Sequence, residues 1–132
     1  MSAEGLVIVA SSRGPRETMD RLAAAVAAQG MAIATRIDHA AAAESVGLAL
    51  RPTEVLVFGN PRAGTPLMQA APSLAIDLPL KALVWQDEAG ATWLAHPDPA
   101  WLARRHGLDP ANHPTLVAMT NALVRVAAEA TG

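Results

Sequence analysis

The densest concentration of residues able to do chemistry is Gly59-Asn60-Pro61-Arg62-Ala63-Gly64-Thr65-Pro66, directly after the apolar run Val55–Phe58. Glycine lets a ligand approach the backbone closely, and each proline fixes φ. Thr65 followed by Pro66 reads as a helix start, with threonine as the N-cap and proline in the first helical position. Such a start presents unpaired N–H groups and a partial positive charge, so an anion can bind there beside Arg62. Asp77 is the only carboxylate between Glu54 and Asp87, placed to pair with Arg62, Lys81 or His39 or to cap a turn. The predicted ligand-binding residues are therefore Asn60, Arg62, Gly64, Thr65, His39, Asp77 and Lys81. The same residues also describe an ordered strand-to-helix turn in which Asn60 and Thr65 satisfy backbone groups.

Several sharper chemistries fail on residue type. Gly59 and Gly64 have the spacing of a phosphate-binding loop, but Thr65-Pro66 stands where lysine and a hydroxyl residue are required. His39, His96, His106 and His113 include no pair at i, i+4 on a helix, so no metal site is predicted. His106 and His113 read as surface or loop positions. Ser11, Ser12, Ser45 and Ser73 lack a Gly-x-Ser-x-Gly elbow. Triads are assembled in space rather than in sequence, so an enzyme using His39 or Asp77 as acid/base stays open as the alternative. A structural dimeric protein without catalysis is the third reading. No cofactor is predicted.

The elements that must position these residues alternate along the chain. Leu6–Ala10 is a buried-strand run, and Pro15 opens a helix with Met19, Leu22, Ala23 and Val26 on one face. Residues 31–37 alternate with period two, as a half-buried strand does. Asp38 can cap a helix over Ala40–Val46. Val55–Phe58 is a strand, and Leu80–Gln86 with Ala91–His96 forms a hairpin in which Gly90 takes positive φ. Helices follow over Asp98–His106 and Pro114–Ala130, the latter with Leu116, Thr120, Leu123 and Ala127 in line. Trp85 and Trp93 fall on opposite arms of the hairpin, as a cross-strand pair or as core. The fold class is α+β: a single two-layer domain, residues 1–132, with one mixed, partly antiparallel sheet of about five strands and helices packed on it.

Composition bounds the function classes. The 132 residues are 52% hydrophobic and 17% charged, which describes a folding chain with room for one core. A net charge of −2 argues against a nucleic-acid partner, which would require a basic stripe; Arg104-Arg105-His106 is too short to be one. No apolar run reaches the roughly 18 residues of a membrane span, so no membrane partner is expected. Met1-Ser2-Ala3-Glu4 lacks a basic segment ahead of an apolar one, and there is no cysteine for disulfides or thiolate chemistry. Cytoplasmic residence is expected.

Three segments carry a resemblance. Arg51-Pro52-Thr53-Glu54-Val55-Leu56-Val57-Phe58-Gly59-Asn60-Pro61, Gly64-Thr65-Pro66-Leu67-Met68-Gln69 and Asp77-Leu78-Pro79-Leu80-Lys81, with Leu102-Ala103-Arg104-Arg105-His106 later, resemble the family called domain of unknown function 302 over nearly the whole chain. The resemblance implies a compact α+β fold and assembly as a homodimer, and it implies no activity. After Trp93, His96-Pro97 departs from the aromatic-Asn that the family places before Asp-Pro. Taken together, the function is expected to be a small-ligand or anion-binding module at the Gly59–Thr65 turn, with a small anionic ligand and self-association as its partners.

Overall fold

The apolar periods of the sequence separate into discrete elements in a computed structural model, which describes residues 2–132. β1 (Leu6–Ser11) ends in a polar turn, and Pro15 opens α1 (Pro15–Ala28), whose buried Met19, Leu22 and Val26 form one stripe. β2 (Ala32–Asp38) leads into the short α2 (His39–Ser45), where Asp38 Oδ1 accepts from the Ala41 N–H. β3 (Thr53–Gly59), α3 (Pro61–Ala70) and a 3-10 turn (Pro72–Asp77) follow. β4 (Leu80–Gln86) and β5 (Thr92–Pro97) make the expected hairpin, with Gly90 at φ 85. α4 (Pro99–Arg105), capped by Asp98, and α5 (Thr115–Thr131) complete the chain.

The five strands lie in the order β1-β5-β4-β3-β2. Every neighbouring pair is antiparallel, so the sheet is antiparallel throughout rather than mixed. The reason is α1. It carries the chain from one edge of the sheet to the other, so β1 and β2 run in the same direction yet never pair. Parallel strands can be neighbours only when the crossover returns beside its own start.

Alternation along the strands divides the sheet into two unlike faces. On one, Leu56, Phe58, Leu80, Ala82, Val84 and Leu94 join a single core cluster. α1, α3, α4 and α5 all contribute their buried apolar residues to that same cluster, and α2 contributes none. At its margin Arg36 bonds Glu54 and Asp20, and the hydrogen bond it donates to Glu54 holds the guanidinium above its ordinary pKa. The other face carries the cross-strand row Ile8, Ala95, Leu83, Val55 and Ile37. Trp85 and Trp93 sit directly opposite one another in the next row. The Trp93 Nε1–H donates to Asp87 at 2.8 Å and keeps that carboxyl below its usual range.

Candidate functional site

The helix after β3 begins five residues earlier than its Thr-Pro signal suggests. Asn60 is the N-cap of α3: its Oδ1 accepts from the Arg62 N–H at 2.9 Å, and its carbonyl accepts from Ala63 and Gly64. Asn60-Pro61 is itself a cap followed by a first-turn proline, and it comes first along the chain. Thr65 and Pro66 therefore lie inside the helix, where proline removes one donor from the ladder. Arg62 and Thr65 are exposed, whereas Gly64 is buried. A Cβ at Gly64 would stand 3.4 Å from Leu78 Cδ1. Asn60 and Gly64 line a cleft of about 270 Å³ with Ala32, Gly59, Met68 and Leu78. No charged side chain lines it, so the predicted anion finds no counter-charge there.

Asp77 and Lys81 belong to a different place. They line a cleft of about 290 Å³ with Leu6, Val55, Leu83 and Trp101. Asp77 pairs with neither Arg62, Lys81 nor His39. Both its oxygens accept from Arg105 Nη1, at 2.8 and 3.0 Å, and it also bonds His106 Nε2. The other ring nitrogen of His106 shares a hydrogen bond of 2.8 Å with Ser73 Oγ. His106 is thus no surface residue, since its side chain is only 8% exposed. The chain Ser73–His106–Asp77–Arg105 ties the 3-10 turn before β4 to the C-terminal end of α4. The Arg104-Arg105-His106 cluster was the only sequence signal for it, because about thirty residues separate the partners.

Removing the carboxylate from this chain takes the partner from the largely buried His106 ring, while the half-exposed Arg105 can turn to water. Asp77→Ala is expected to cost about 1–3 kcal/mol, measured by urea denaturation. Against a His106→Ala background the same change should cost much less, since coupled partners are not additive. Equal costs in both backgrounds would show that the two residues act independently.

His39 joins neither cleft. It is exposed at the first position of α2. Asp38 is in register with Glu54 and through it with Val84, whereas Asp77 precedes Leu80 at the other end of β4. His39 and Asp77 therefore sit at opposite ends of the sheet and cannot serve one substrate. His96 lies on the helix-covered side by strand alternation and is 3% exposed. Its Nδ1 bonds the Pro97 carbonyl at 2.9 Å, and its buried Nε2 has no hydrogen-bond partner among the described residues. Among the described residues no group of three acidic, histidine or cysteine side chains could hold a metal ion.

Comparison with known proteins places this geometry. The model of the family described as Domain of unknown function DUF302 matches residues 7–126. The crystal structure of an uncharacterized conserved DUF302 protein from Bacillus stearothermophilus superposes with a TM-score of 0.84. It covers 97% of this chain and 99% of its own at 22% identity. The protein named fluoride-specific ion channel FluC 1 of Brucella suis biovar 1 is 44% identical over 128 residues, 97% of this chain and 50% of that protein. Its namesake from Brucella abortus biovar 1 is also 44% identical, over 97% of this chain and 47% of that protein. The chain thus spans about half the length of the curated relatives it matches.

These relatives overturn three expectations. A small-ligand or anion-binding module at the Gly59–Thr65 turn, with an enzyme or a purely structural dimer as alternatives, gives way as the function, because the relatives are named for fluoride conduction. The exclusion of a membrane partner and the cytoplasmic location fall with it, because an ion channel is a membrane protein. Among the described residues, no helix is long and apolar enough to cross a membrane. With nearly the whole sequence matched by the family model and nearly the whole fold shared with a solved member, the chain belongs to the DUF302 family.

Proposed function

We propose that this chain, residues 1–132 as one domain, is a non-pore domain of a fluoride-channel system. The observation that carries the reading is a pair of proportions. The chain is matched over 97% of its length by proteins of which it makes up only 47–50%. A segment of this length with its own core is a fold unit. Helical membrane spans need about 20 apolar residues each, and the longest helix here, α5, has 17 residues with one face committed to the core. Fluoride passage then falls to the other half of such relatives. The domain acts beside the pore, on its assembly or its opening.

Liposomes loaded with fluoride test this with an ion-selective electrode. The purified chain alone is expected to release none, and the full-length Brucella suis relative to release it. The relative lacking its 128 matched residues is expected to conduct at a changed rate. Release by the chain alone would overturn the reading, and so would a deletion that leaves efflux and fluoride tolerance unchanged.

A further inference from the structure

We infer that the uncovered face of the sheet is the surface on which the channel half of such a protein docks. The inference rests on the reading of the chain as a non-pore domain. An antiparallel sheet with one face in water normally presents polar residues there. This one presents Ile8, Leu83, Val55 and Ile37, with the buried Ala95 between them, in one row and the Trp85–Trp93 pair in the next. Leu6 is 45% exposed and Ile37 40%, no residue of this row belongs to the core cluster that the four helices build, and α4 reaches the face only at the cleft where Trp101 and Leu102 meet Leu83 and Val55. Independent proteins rarely leave so continuous an apolar patch open to water.

Size and shape agree with docking. Five strands at about 4.8 Å spacing, each with about six residues at about 3.3 Å, make a face of roughly 500 Å² in projection. That is the scale of one side of a small specific interface, roughly 600–800 Å² of accessible surface. Two tryptophans supply the rigid aromatic anchors that dominate such interfaces. The 290 Å³ cleft bounded by Leu83, Val55 and Trp101 offers a recess for a partner side chain.

The relatives indicate the occupant. In those proteins the remaining half is about as long as this chain and is joined covalently to the matched segment. A tether raises effective concentration to about the millimolar range, so even a modest face stays occupied. Lys81 further specifies the partner. It stands on the same face one row beyond Leu83, opposite Val57, and is the one charged strand residue there; among the described residues it makes no salt bridge. Covering it requires an acceptor opposite, a carboxylate or free helix carbonyls, because a buried unpaired charge is costly. The partner surface is therefore apolar with one acceptor group facing Lys81.

The test mixes the chain with the Brucella suis relative trimmed of its matched segment, in detergent, and measures co-elution and Kd. Wild type is expected to bind. Leu83→Asp and Lys81→Glu should each weaken binding at least tenfold, while Val124→Asp, at an exposed site on α5 (54% exposed), should not. Circular dichroism checks folding, and Lys81→Glu, at an exposed position, keeps the test valid if Leu83→Asp unfolds. No binding by wild type, or binding that ignores Lys81→Glu, overturns the inference. A dimer of the chain by light scattering that Leu83→Asp splits would assign the face to a second copy instead. If deleting the segment alters efflux while these variants still bind, only the docking face fails, and the non-pore reading stands.

Discussion

Phe58→Ala is expected to destabilise the protein by about 3–5 kcal/mol, the usual cost of emptying a large aromatic from a packed core. Phe58 is the only phenylalanine in the chain and is 0% exposed. It sits on β3 opposite Leu80 of β4, within the cluster shared with α1 and α5. The aromatic content is otherwise three tryptophans, and much of the helix surface is alanine, which buries little area per residue. Few neighbours can move in to refill the space. Domains of this size have about 5–15 kcal/mol of stability in total, so roughly a fifth or more should go. The check is urea denaturation followed by far-ultraviolet circular dichroism. Leu48→Ala, at a site 67% exposed, is the control and should stay within about 0.5 kcal/mol of wild type. A loss under about 1 kcal/mol for Phe58→Ala would mean that the core is looser than its burial indicates.

Gly5→Ala should be nearly as damaging, for a reason of geometry. Gly5 has φ 77, and an added Cβ would lie 2.4 Å from Trp101 Cδ2. The left-handed backbone costs an alanine about 1–2 kcal/mol, and displacing a packed ring costs about 1–3 kcal/mol more. The Gly5 carbonyl also accepts from the Asp98 N–H at 2.8 Å, at the start of α4. A shifted Trp101 would thus disturb the helix that carries Arg105 and His106. Gly47→Ala separates the two contributions. Gly47 has φ 78 but nothing within 4 Å of the added carbon, so only the backbone cost of about 1–2 kcal/mol remains. Denaturation curves and tryptophan fluorescence of both variants check the comparison. Equal losses would show that Trp101 yields freely.

Much of the fold was legible because its signals are local. Pro15, Asp38, Gly90 and Asp98 each mark an element boundary by backbone chemistry confined to a few residues, and all four stand where they were read. The stripes on α1 and α5 follow from helical period alone. The helix before β4 was misplaced because two start signals lie five residues apart. Thr65-Pro66 and Asn60-Pro61 are chemically equivalent, and only the direct exit of β3 into Asn60 favours the earlier one.

The candidate site was far less legible. Its predicted residues scatter: Asn60 and Gly64 reach an uncharged cleft, Asp77 and Lys81 a second one, Arg62 and Thr65 solvent, and His39 the far end of the sheet. Sequence proximity cannot rank partners across a sheet, and Arg105, His106 and Ser73 reach Asp77 only because α4 folds back beside the 3-10 turn.

The stretch from Phe58 to Leu80 illustrates the division. The sequence alone determined that a strand, a capped helix and a second strand occur there, because caps, prolines and apolar periods act through neighbouring residues. It also carried the family resemblance. Only the tertiary structure decided which side chains from that stretch share a cleft, that Asp77 answers to α4, and that an apolar row of the sheet stays outside the core cluster. Those outcomes depend on which strands pair and on which side each helix crosses, and no local interaction encodes them.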